Sequence, residues 1–240
     1  MVPPDPLAGR RFTPPAAVPP LLARLRRETR AAHDRIETLP ALACLLSADL
    51  PVKAYIGALR GLHAFHARLH ASLPALLRAL PATAGVPDVL DETGLVSLAD
   101  DLAWFKARPK RKMRMPQGVA TGAAALGALY VMEGSALGAR VIGRAVQHSV
   151  GVAPGRGGSY FCGAAAETAR QRWQGFCRLL CDVEPLLDGA GIAEVVAGAL
   201  ASFACLESAM AGPNAAAQDG PSRTLVAAPP HMAAAIPSLN

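Results

Sequence analysis

The sequence predicts an all-α protein, and three observations carry that prediction. Alanine and leucine dominate a chain of 240 residues in which 52% are hydrophobic and only 5% aromatic, a composition that favours helix over strand. Apolar residues recur at three- and four-residue spacing, as at Tyr55, Leu59, Leu62 and Phe65, the repeat of a one-sided helix. No run alternates with period two for long enough to argue for a sheet. The expected architecture is one multi-helical domain over about 20–212, packed around a central site. A Pro-rich leader (1–19) and an Ala/Pro-rich tail (213–240) lack periodicity and are expected to be disordered.

The elements follow from local signals. The first helix runs from about Pro20 to Thr38, with Pro40 beyond its end. Ser47-Ala48-Asp49 is positioned to cap the next, about Pro51–Ser72, with Pro51 in its first turn. Pro74 marks a break before a short helix to Leu80. Pro81–Gly94 is a loop region. Val96–Ala107 reads as a helix with Leu98, Leu102 and Phe105 inward. Six cations then fall within nine residues, Lys106, Arg108, Lys110, Arg111, Lys112 and Arg114. Pro109 interrupts them and Pro116 follows, so the run is expected to be a solvated loop. Val119–Val150 is a long helix and Gly151–Gly163 a glycine-rich connection. Thr168–Leu187 and Ile192–Met210 complete the set.

Composition also excludes classes. The net charge of +6 points to an acidic partner or ligand without naming one. The five cysteines, Cys44, Cys162, Cys177, Cys181 and Cys205, show no CxxC spacing, which argues against a zinc site or a disulfide framework. They read as small core residues in a reducing compartment. Met1 to Pro20 lacks an unbroken apolar segment of the secretory type. Val119–Val131 is too short to span a membrane, and Glu133 follows it. A cytoplasmic protein without a membrane span is expected. His63, His66 and His70 share a helical face, but no cysteine is near and the nearest acids lie outside the helix. They read as interfacial or solvent-facing histidines rather than a metal site. Gly155-Arg156-Gly157-Gly158 has no preceding strand and no GK[ST], so it is not a phosphate cradle. The cationic run lacks interleaved aromatics, and no nucleic-acid partner is expected. Docking of an acidic electron-transfer protein is the second reading of that run.

Two stretches carry chemistry. In Leu25–Glu37, Arg26, Arg30, His33 and Glu37 share one face at 100° per residue. A carboxylate one turn beyond an imidazole accepts the proton of one ring nitrogen and leaves the other free for a metal. The arginines pair with an anion along the same face. An iron porphyrin with two propionates satisfies all these groups together. The alternative is a surface helix with i,i+4 ion pairs such as Arg30–Asp34. In Ala125–Ile142, Gly134 and Gly138 lie one turn apart beside Ser135 and Ala139. An interior helix glycine costs up to ~1 kcal/mol relative to alanine, so two of them need a reason. Either something flat approaches this face, or another helix packs closely against it.

The string LRRETRAAHDRIE resembles the first helix of bacterial haem oxygenases. The string YVMEGSALG resembles their distal helix, and the likeness continues at lower specificity over about residues 21–210. The resemblance implies His33 as the iron ligand, Glu37 steadying it, and Arg26 and Arg30 as propionate-facing cations, with Arg178 near a further basic position. It implies Gly134, Ser135 and Gly138 on the distal side, in a helix that bends over the haem. The implied activity is oxidative cleavage of haem, both cofactor and substrate, to biliverdin, carbon monoxide and ferrous iron, using O2 and external electrons. An external donor such as a ferredoxin or a flavin reductase is implied, since the chain shows no flavin or Fe–S motif. A bilin-binding photoreceptor is a possible product acceptor. A non-catalytic haem carrier or sensor on the same fold is the competing reading, and a helical interaction module without haem is a third.

Overall fold

The computed structural model describes residues 19–80, 90–110, 114 and 117–211. The expected leader over 1–18, the tail, residues 81–89 of the loop and residues 111–113 of the cationic run lie outside the described residues. Helices account for the fold, in the order α1 (Pro20–Thr38), α2 (Pro40–Ala43), α3 (Val52–His70), α4 (Leu73–Leu77), α5 (Thr93–Trp104), α6 (Gly122–Val150), α7 (Ser159–Cys162), α8 (Ala164–Val183) and α9 (Gly189–Met210). Among the described residues there is no strand, and isolated bridges join Ala153 to Arg156 and Gly157.

Pro20 starts α1 at the first helical position, where its missing N–H costs nothing. Leu39 is extended before Pro40 and ends it. Leu21, Leu22, Leu25, Thr29, Ala32 and Ile36 form its buried face. α2 and the 3-10 turn Cys44–Leu46 were not foreseen. Ser47-Ala48-Asp49 does not cap α3. The Asp49 N–H bonds back to the Ser47 hydroxyl, and Pro51 occupies the N-cap without a side-chain bond. α6 starts at Gly122 because the Thr121 hydroxyl accepts from the Ala124 N–H, three residues later than the apolar run suggests. Gly151, at φ +73°, ends it in the left-handed conformation. α8 begins four residues before the expected Thr168, and a 3-10 turn, Glu184–Leu186, closes that segment. Asp188 caps α9 through the Gly191 N–H at 2.7 Å.

The long α6 is the centre of the packing, with α9 and α8 as its principal neighbours. Gly127 and Gly198 permit the closest approach. A Cβ at Gly127 would sit 2.6 Å from the Ala199 nitrogen, and one at Gly198 would sit 2.7 Å from the Ala124 Cα. Backbone therefore meets backbone along α6 and α9. The predicted inward residues of α3, Tyr55, Leu59, Leu62 and Phe65, are all buried, each worth roughly 1.5–3 kcal/mol if aliphatic or phenyl. His66 and His70 join them in the interior, so those two are not solvent-facing. Cys177 and Cys205 are core residues as expected, but Cys181 is exposed.

One helix departs from the expectation that no stretch has membrane-spanning character. Gly189–Met210 is long and apolar enough by length and composition, with mean hydropathy 1.7. Its apolarity has a use inside the bundle, since α9 packs on α6, α1 and α3.

Candidate functional site

α1 turns one edge of its helix out of the core. Arg26, His33 and Glu37 are half-buried there, whereas Arg30 is exposed. His33 Nδ1 lies 3.6 Å from Glu37 Oε1, an ion-pair distance longer than a direct hydrogen bond. The pairing directs Nδ1 toward the carboxylate and leaves Nε2 for another partner. His33, Asp34 and Glu37 can bring one ligand atom each within 4.8 Å of one another. Asp34, however, is engaged by Arg30 Nε at 2.9 and 3.2 Å. The i,i+4 surface pair anticipated for this helix is therefore present, and His33 and Glu37 form a second pair beside it. The His33 ring meets the Phe203 ring of α9 edge-on, with centroids 6.1 Å apart. Arg26 Nη2 is buried and makes no hydrogen bond among the described residues.

The α6 glycines are placed differently from Gly127. Among the described residues, a Cβ at Gly138 would meet nothing within 4 Å, and one at Gly134 would meet only the Trp173 ring, at 3.8 Å. Close helix packing therefore explains Gly127 but neither Gly134 nor Gly138. The helix bends by 50° between Gly122–Ala139 and Val141–Val150. The Ser135 hydroxyl donates to the Met132 carbonyl at 2.7 Å, a back-bond that favours bending.

Tyr130, one turn before Gly134, connects the two stretches. Burial raises its phenol, while a hydrogen bond with Thr29 and the charge of Arg26, both on α1, act the other way. Its ring lies tilted against that of Trp173, the residue that faces Gly134, with centroids 5.9 Å apart. Folding thus brings Arg26, near residue 30, against a helix that starts about a hundred residues later. Arg178 is exposed and lies close enough to influence the Cys177 thiol on the same helix, as Arg26 does.

Behind the glycine face lies a buried polar cluster not recognised from the sequence. Asp101 Oδ1 accepts from the Ser159 N–H at 2.7 Å and Oδ2 from the Tyr160 N–H at 2.9 Å. That pair of bonds fixes α7 and aims Tyr160 inward, where its hydroxyl lies 3.1 Å from His66 Nε2. Burial raises the Tyr160 phenol to about 12, against a hydrogen bond with Ser135. Burial, then the charges of His70, Arg172 and His63, lowers His66 to about 3. Arg172 Nε binds Glu133 Oε2 at 3.0 Å, with both side chains buried. Burial raises Glu133 to about 7 despite the opposing pull of Arg172. The sequence did hold a signal for this pair. Glu133 interrupts the apolar run of α6, and Arg172 interrupts the apolar stripe Ala165, Ala169, Trp173 and Phe176 of α8. Two opposite charges alone on buried faces imply each other.

Comparison with known proteins gives one family and several similar folds. A family model described as Heme oxygenase matches residues 19–211. Heme oxygenase of Neisseria meningitidis, solved in its NO- and CO-bound forms, is similar at TM-score 0.64 and 22% identity, over 85% of this chain and 98% of that one. Heme oxygenase-1 of the cyanobacterium Synechocystis, in complex with heme, is similar at TM-score 0.62 and 15% identity, over 79% of this chain and 90% of that one. A search of curated proteins finds no match.

Proposed function

The chain belongs to the heme oxygenase family and degrades haem oxidatively, and we propose that it does so between the His33 edge of α1 and the Gly134–Gly138 face of α6. The observation that carries the assignment is the open space at Gly138 among the described residues, on a helix in which Gly122, Gly127 and Gly143 are explained by close packing. A cradle that side chains would fill suits a flat macrocycle. The buried, unpartnered Arg26 Nη2 suits a propionate. An imidazole whose Nδ1 faces a carboxylate suits iron at Nε2.

His33 is the iron ligand in this reading. Glu37 orients it, directly or through a water. Arg26 and Arg30 neutralise the propionates, and Arg178 adds a cation at the edge. Arg30 must then loosen its bond to Asp34. Gly134 and Gly138 let the α6 backbone lie against the ring, and Ser135 sits between them with its hydroxyl bonded to the Met132 carbonyl. Bound haem supplies iron that reduces O2 with electrons from outside. The distal residues contribute small volume and the single Ser135 hydroxyl, and no imidazole or guanidinium stands among Gly134, Ser135 and Gly138 to act as a strong acid. A neutral imidazole gives less electron push than a thiolate.

The products are biliverdin, carbon monoxide and ferrous iron, and the donor is a ferredoxin or a flavin reductase. A bilin-binding photoreceptor is one candidate product acceptor, and the proposed compartment is the cytoplasm. Family membership disfavours the carrier or sensor reading. The test is to incubate the protein with haem, a ferredoxin-type reductant, air and catalase. The Soret band should decay while a broad red bilin absorption grows. A Soret band that persists with several competent reductants overturns the biliverdin-forming assignment.

A further inference from the structure

Arg172 satisfies every nitrogen of a buried guanidinium. Nε donates to Glu133 Oε2 at 3.0 Å, Nη1 to the Thr168 hydroxyl at 2.7 Å, and Nη1 and Nη2 to the Ala165 carbonyl at 3.2 Å. Asp91 Oδ2, just before α5, lies 3.8 Å from Nη1 and is about one-third exposed. One side chain therefore ties α8 to α6 and to the entry of α5. Its partner Glu133 directly precedes Gly134 and Ser135.

A buried ion pair is a poor source of stability. Desolvation offsets its Coulomb attraction, and an apolar pair of similar volume often serves as well or better. What the pair does supply is direction, because a bonded guanidinium fixes the carboxylate in distance and angle. Here it fixes the turn of α6 that bears Gly134. The same charge reaches the other arm of the buried polar cluster, acting on Tyr160 of α7 and His66 of α3.

We propose that Arg172 is a positioning residue for the haem reaction, holding the Glu133–Gly134–Ser135 turn in register with the macrocycle through its bond to Glu133, with Asp91 as the surface end of the same tie. The inference rests on the assignment of Gly134, Ser135 and Gly138 to the haem face. Arg172 touches neither haem nor the reacting atoms, so its effect is on geometry and polarity beside the ring.

The experiment uses the full chain with haem bound and compares R172M, R172K, the double variant E133L/R172M, and D91N. The readouts are the C–O stretching frequency of the ferrous carbon monoxide complex, the isomer pattern of the bilin formed, and the melting temperature without haem. R172M strands a buried carboxylate and is expected to melt early. The double variant removes both charges and should recover the melting temperature. It should still show a displaced C–O frequency and a broadened isomer pattern, with haem affinity within about tenfold of the native protein. R172K should restore these signatures in part, and D91N should shift them least, in the same direction. A double variant with the native C–O frequency and isomer pattern overturns the proposal and leaves the pair a structural tie. A native protein that forms no haem complex overturns the haem-face assignment, and this inference with it.

Discussion

Replacing His66 by glutamine should change how stability depends on pH in a way that geometry alone fixes. His66 is 4% exposed and its Nε2 is occupied by the Tyr160 hydroxyl. Burial, reinforced by the charges of His70, Arg172 and His63, lowers it from an ordinary 6.5 to about 3. The folded state therefore refuses a proton that the unfolded chain accepts. Stability from this group is intact above pH 6.5, falls as the pH drops below that value, and continues to fall to about pH 3. Between pH 8 and pH 5 the loss is about 2 kcal/mol. Glu133 works in the opposite sense. Its folded value of about 7 lies above the ordinary 4.5, so its stabilising share is complete below about 4.5 and lost as the pH rises through 7. The same change from pH 8 to pH 5 restores about 2.5 kcal/mol through Glu133. These two contributions nearly cancel in this window, and the compensation should vanish in H66Q. Urea unfolding of both haem-free proteins at pH 5 and pH 8 measures this. The stability of H66Q relative to the native protein should improve by about 2 kcal/mol at the lower pH. An unchanged difference would show that the imidazole takes up its proton in the folded state, and the reasoning from burial would be wrong.

Three further outcomes are expected. G198A should lose about 1–3 kcal/mol in urea unfolding, because the added methyl meets the Ala124 backbone, whereas G57A, with nothing within 4 Å, should gain up to ~1 kcal/mol. G138L should melt close to the native temperature, since its Cβ meets nothing, yet haem titration and bilin formation should both be impaired. H33A should weaken haem binding and lose the native ferric spectrum, and an unchanged spectrum would show that the iron ligand is another residue.

Much of this protein was legible in its residues. Composition and spacing determine the helical class, because a one-sided apolar repeat is a local property that survives into the fold. The faces of α1 and α3 follow for the same reason, and so does the grouping of Arg26, Arg30, His33 and Glu37, which needs only the helical period. The boundaries were less legible. Thr121 sets the start of α6 through capping, which depends on a few backbone angles that composition does not encode.

Tertiary structure decided the rest. From sequence, Gly134 and Gly138 admitted both a ligand and a helix as neighbour. The distinction came from α9, whose Val195 and Ala199 lie against Gly127 and not against those two. His66 looked like one of three histidines on a helix surface until Asp101 fixed Tyr160 against it from a segment 94 residues away. Arg172 and Glu133 are 39 residues apart, and although each interrupts an apolar helix face, only the fold sets one against the other. A buried charge is tolerable only where a distant partner meets it at about 3 Å, and no local pattern carries that coincidence. The sequence by itself thus determined which residues each helix presents, while the packing of α6 against α8 and α9 determined what each of those residues faces.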